Sequence, residues 1–176
     1  MNSTILCGLL ASLIVVPAYA QETAWHQATG SELAAVLPSR AQVENEHIET
    51  EMRTASGIVN DRGQFFAGVV LLTAGYSADG KYSHYLLVQA PVRVAGFDLP
   101  PGDYLLGSTR ADSGNELNVH FNVAATGKQV GIAEAKRIPG RGPVESVRIW
   151  PPQSGGLIQI GRFGIPYKLG KAATEK

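Results

Sequence analysis

Residues 65–90 read FFAGVVLLTAGYSADGKYSHYLLVQA, two short apolar runs on either side of a polar, glycine-containing break. The first run, Phe65–Ala74, is nearly continuous and partly β-branched. That is the pattern of a strand covered on both faces, and it lacks the spacing of an amphipathic helix. Tyr82–Ala90 repeats the pattern, and Asp79-Gly80 between the runs tolerates positive φ, so the two strands are expected to pair through a hairpin. On the second run Tyr82, His84, Leu86 and Val88 fall on one face. This predicts a half-buried, hydrogen-bonded His84.

The downstream chain continues in the same idiom. Pro91–Phe97 and Asp103–Thr109 read as extended segments separated by Leu99-Pro100-Pro101-Gly102, where proline presets φ and glycine accepts the turn. Glu116–Val123 gives the cleanest period of two: Leu117, Val119, Phe121 and Val123 alternate with Glu116, Asn118, His120 and Asn122. Gln129–Ile138, Val144–Trp150 and Leu157–Tyr167 complete the strands, the last interrupted by Gly161 and Gly164, which suit a bulge or bend. Upstream, Ser31–Leu37 fits a short Ser-capped helix ending before Pro38. Ala41–Met52 fits either a helix or a polar edge strand. The expected fold class is all-β, an antiparallel β-sandwich of about seven or eight strands with a short N-terminal helical segment. Composition changes near residue 56, dividing the chain into a polar or helical segment, 21–56, and the sandwich, 57–170, with 171–176 as a frayed tail.

Compartment follows from the N-terminus. An apolar run, Leu9–Val16, precedes Pro17 and then Ala18-Tyr19-Ala20, which is a small-x-small cleavage site. Residues 1–20 are therefore expected to be a signal peptide cleaved near Ala20, and the product periplasmic or secreted. The run is too short to cross a bilayer, which needs roughly 18 or more apolar residues. The single cysteine, Cys7, lies inside this leader, so the mature chain has no disulfide, thiolate metal site or cysteine nucleophile. Lys plus Arg and Asp plus Glu both number 15. With no field of one sign, neither nucleic acid nor an anionic membrane is an expected partner. An envelope or extracellular protein, or a polar ligand, is.

The segment Val92–Leu105 (VRVAGFDLPPGDYL), an extended run, a Pro-Gly turn and an aromatic strand, resembles the strand-turn-strand of prealbumin-like and carboxypeptidase-regulatory-like β-sandwich domains. It is also similar to secreted bacterial sandwich proteins of unknown function. The resemblance implies a sandwich fold and an accessory or binding role, and it carries no catalytic residues.

Three groups of residues could carry chemistry. In Glu44-Asn45-Glu46-His47-Ile48-Glu49-Thr50-Glu51, a helix would align Glu44, His47 and Glu51, and a strand would align His47, Glu49 and Glu51. Either set could hold a divalent ion or serve a hydrolase, although the two histidines of His-Glu-x-x-His are missing. The polar face Asn118, His120 and Asn122 offers amide and imidazole groups to a polar ligand. Trp150, at a strand end before Pro151-Pro152, offers a stacking surface, and Arg137 and Arg141 in RIPGRGP (137–143) offer guanidinium groups to an anion. Gly75–Gly80 has the wrong spacing for a serine nucleophile elbow. No set meets the requirements of a catalytic group and no cofactor is implied, so the expectation is an exported protein acting by binding or structural association. A hydrolase built on residues 44–51 and an envelope assembly component are the rivals.

Overall fold

A computed structural model describes residues 24–140 and 142–170. The leader, its cleavage site, the tail 171–176 and Arg141 lie outside the described residues. The elements in chain order are β1 (Trp25–Gln27), α1 (Gly30–Val36), β2 (Arg40–Val43), β3 (Glu46–Asn60), β4 (Phe65–Leu71), β5 (His84–Val88) and β6 (Val92–Val94). There follow β7 (Phe97–Leu99), β8 (Gly102–Arg110), β9 (Glu116–Val123), β10 (Gln129–Arg137), β11 (Glu145–Trp150), β12 (Leu157–Gly161) and β13 (Phe163–Leu169).

The all-β expectation holds, but one 13-stranded antiparallel sheet stands where two stacked sheets of seven or eight strands were expected. Its order is β1-β3-β4-β5-β8-β9-β10-β13-β12-β11, with β2 on β3 and the β6–β7 hairpin on β13. The sheet curls until β11 lies against β3 and β4. Among the described residues no ladder joins β11 to β3. The seam is spanned by side chains instead, with the Ile149 amide donating to Ser56 Oγ at 3.0 Å and His84 Nε2 donating to the Ser146 carbonyl at 3.0 Å.

Curling gives the sheet an inside and an outside, and the two apolar runs explain why both are covered. Phe66, Leu86, Val88 and Leu106 point inward to pack with Phe121, Ile149, Ile158, Ile165 and Tyr167. Their alternates Phe65, Ala67, Val69, Tyr85, Leu87 and Leu105 point outward beneath α1, the β2–β3 hairpin and the 72–83 connection. The central strands therefore have no wet face, and a nearly continuous apolar run is what such a strand requires. Gly57 lets α1 approach, since a Cβ there would lie 2.6 Å from Ala67 Cβ and 2.9 Å from Leu33 Cδ2.

Several expectations are corrected in detail. The helix is capped by Thr29, not Ser31, in a capping box with Glu32. Residues 41–52 are no helix but the end of β2, a turn at 44–45 and the start of β3, and β3 continues past residue 56, where composition changes. The Pro-Pro-Gly turn does not join the strands that pair: β6 pairs with β7 through Ala95 and Gly96, both at positive φ, 44° and 100°. Gly161, at φ 61°, makes no bulge but reverses the chain, splitting Leu157–Tyr167 into the β12–β13 hairpin. The β6–β7 hairpin tucks Phe97 edge-on to Phe121, centroids 5.3 Å apart, over Gly131, where a Cβ would meet the ring at 2.7 Å. His84 is hydrogen-bonded as its strand face predicts but buried, not half-buried, and Ser83 Oγ lies 2.8 Å from its Nδ1.

Candidate functional site

The residues 44–51 do not assemble a site. Glu44 sits in the β2–β3 turn at φ 53°, its carboxylate bound by the Lys81 ammonium and, at 2.6 Å, by the Tyr82 hydroxyl. These partners hold its carboxyl below the usual range, Lys81 first. Glu49 accepts from Tyr76 Oη at 2.7 Å and pairs with Arg40. Glu51 takes both arms of Arg53, at 3.0 and 2.8 Å, a fork-to-fork bond that pulls its carboxyl to about 2. His47 projects alone into solvent. Each carboxylate thus has its own partner, and among the described residues no three His, Cys, Asp or Glu side chains converge on a point.

The polar face of β9 is real but largely satisfied. His120 donates from Nδ1 to Gln129 Oε1 at 2.9 Å, and its Nε2 is 3.4 Å from Thr109 Oγ1. Asn122 is buried, with its amide donating to the Leu105 and His120 carbonyls at 3.4 Å. Asn122 therefore braces the strand and is not presented to a ligand. Asn118 is half-buried on the same face, opposite Glu134.

Trp150 and the 137–143 loop, read separately in the sequence, come together. β11 and β12 pair Trp150 with Leu157 and Arg148 with Gln159, so these four side chains share the outer face while Ile149 and Ile158 enter the core. The loop folds over that face. The Ile138 amide donates to the Arg162 carbonyl at 2.8 Å, and Gln159 reaches the Pro143 carbonyl. Between them lies a cleft of about 280 Å³, lined among others by Ile138, Pro143, Trp150, Leu157, Gln159 and Arg162.

Gln159 organises this cleft, and nothing in the sequence pattern singled it out. It is 4% exposed; its Oε1 accepts from Trp150 Nε1 at 3.0 Å, and its Nε2 donates to the Pro143 and Gly161 carbonyls, both at 3.0 Å. The Arg148 guanidinium lies over the Trp150 ring, 4.3 Å from the centroid, a cation–π contact. The Tyr167 hydroxyl holds the Trp150 carbonyl at 2.6 Å. The indole is thus fixed by its edge, one neighbour and its backbone. Because its N–H is already used, it offers a ligand only apolar surface. Arg137 lies one residue from the loop, exposed and opposite Phe163, and does not line the cleft.

A second cleft, about 420 Å³, follows the β3–β11 seam between Gln27, Arg53, Ser56, Glu145 and Arg148. Its charges are matched at home: Arg53 with Glu51 and Arg148 with Glu145 at 3.6 Å. Such a lining is polar but internally neutralised.

Comparison with protein-family models, curated proteins and solved structures finds no match. Function therefore rests on the site itself. Among the described residues no helix is long and apolar enough to cross a membrane.

Proposed function

We propose that this chain is an exported, non-catalytic binding protein whose ligand occupies the cleft between β11, β12 and the 138–143 loop. The observation that carries the reading is the preorganised Trp150 ring. Gln159, Arg148 and Tyr167 hold the indole before any ligand arrives, so binding there costs little ordering entropy. At about 280 Å³ the cleft falls at the small end of ligand sites, roughly 300–1,000 Å³, and suits a compact molecule with a flat apolar part. Export is supported by the leader-like run Leu9–Ala20. A hydrolase built on residues 44–51 has little support, because those carboxylates are committed to Arg40, Arg53, Lys81 and tyrosine hydroxyls.

The test is a screen of small aromatic and aliphatic compounds, neutral and charged, by titration calorimetry and ligand-observed NMR. Saturable binding that disappears in Trp150→Ala, with the circular dichroism spectrum retained, is the expected result. Absence of any saturable binder, or binding unchanged by Trp150→Ala, would overturn the reading.

A further inference from the structure

We infer that the Trp150 cleft selects small anionic ligands, an aromatic or similarly flat apolar body carrying one carboxylate, with Arg162 as the group that receives the charge. The inference rests on the binding role proposed above and adds the chemical class.

It follows from asking which polar groups of the lining are still free. Gln159 has both amide hydrogens and its carbonyl oxygen engaged inside the wall. Trp150 has its N–H engaged with Gln159. Among the described residues no carboxylate lines the cleft. Of their side chains, what remains is the Ser154 hydroxyl, an exposed group on the rim, and the Arg162 guanidinium. Arg162 is exposed, and among the described residues it has no hydrogen-bond or ion-pair partner. Its position is fixed from the main chain, since it sits in the β12–β13 turn after Gly161 and its carbonyl accepts from Ile138. The guanidinium therefore stands beside an apolar wall with five donors and no acceptor.

Arg148, which stacks on Trp150 outside the lining, is neutralised by Glu145. The other charged neighbour has the sign of Arg162: Arg137 lies opposite Phe163, the residue after Arg162. A cation would meet repulsion here with no partner, and a neutral ligand would leave Arg162 as it is. A carboxylate would gain a fork-shaped, charge-assisted pair at the exposed edge of an apolar wall.

Matched probes decide the matter: 2-naphthoate and its neutral relative 2-naphthamide, titrated calorimetrically against the purified protein, Arg162→Gln and Ser154→Glu. Naphthoate is expected to bind about three- to fivefold more tightly than naphthamide, as an exposed charge-assisted pair contributes, and to weaken as salt rises. Arg162→Gln should bring the two probes within about twofold of each other, because naphthoate alone loses a charge-assisted partner. Ser154→Glu adds a carboxylate on an exposed position of the rim and should weaken naphthoate more than naphthamide. Equal binding of the two probes, dependent on Trp150, would overturn the charge selectivity and leave the binding role standing. A naphthoate preference that survives Arg162→Gln would assign the charge to another group and overturn the inference. If neither probe nor any screened compound binds, the role and the inference fall together.

Discussion

At the scale of single residues, the hydrogen-bond count of Gln159 matters more than its polarity. Replacing it with leucine keeps the volume but strands the Trp150 N–H and the Pro143 and Gly161 carbonyls. Unsatisfied buried groups cost about 1–3 kcal/mol each, more than the bonds contribute when made. Gln159→Leu is expected to lower unfolding stability by about 2–4 kcal/mol in urea titrations, with Trp150 losing its fixed emission maximum. A loss below about 0.5 kcal/mol would mean that water or movement of the loop supplies the missing partners. Trp150, Arg137 and the 137–143 loop could be picked from the sequence because residue type alone advertises stacking and charge. Gln159 could not, since one glutamine in a strand looks like any outward polar residue until its neighbours are known. Arg162 is equally silent, because Gly161 in an apolar strand pattern suits a bulge or bend as well as the full reversal that displays Arg162.

Among the elements, the paired apolar runs were readable because both their faces meet protein, and period and composition then agree. The β6–β7 hairpin was not. Its turn is built on Ala95 at positive φ, an uncommon position for alanine, and Leu99-Pro100-Pro101-Gly102 supplied a stronger but misleading turn signal. The hairpin is seated on Gly131, and Gly131→Ala would press a methyl to 2.7 Å from the Phe97 ring. Overpacking of this kind costs about 1–3 kcal/mol. The variant should melt lower and show shifted Phe97 and Phe121 ring resonances, whereas unchanged ring shifts would show that the hairpin does not rest there. On the seam, Ser56→Ala removes the acceptor of the Ile149 amide. Exchange of the Ile149 amide with deuterium is expected to quicken while amides on β5 stay protected, and uniform quickening would mean the seam opens only with the whole fold.

For the molecule as a whole, curvature was the feature hidden from the sequence. A strand buried on two faces serves equally in a sandwich or in a curled sheet with an outer cover, and only long-range contact separates them. The curled form puts His84 at the join, where burial lowers its pKa despite the Ser146 hydrogen bond. A histidine in the unfolded chain takes up its proton near pH 6.5. The unfolded state therefore binds more protons below that point, and stability is full above it and declines as pH falls toward the depressed folded value. A second decline follows from the carboxylates of Glu44, Glu49 and Glu51, all held low by their partners; it begins as pH falls through the ordinary carboxylate range near 4. Melting temperature measured from pH 8 to pH 3 should show both steps, and His84→Gln should erase the first. A single step confined to the carboxylate range in the parent protein would remove His84 from the account. Among the described residues the join is fastened by Ser56, His84 and Gln153, whose amide donates to the Trp25 carbonyl at 2.7 Å, and the strand that carries Trp150 is the one held there by side chains without a ladder. A molecule lodged against that strand would act as a clasp, and the cylinder would become harder to unroll in proportion to how tightly its guest is held.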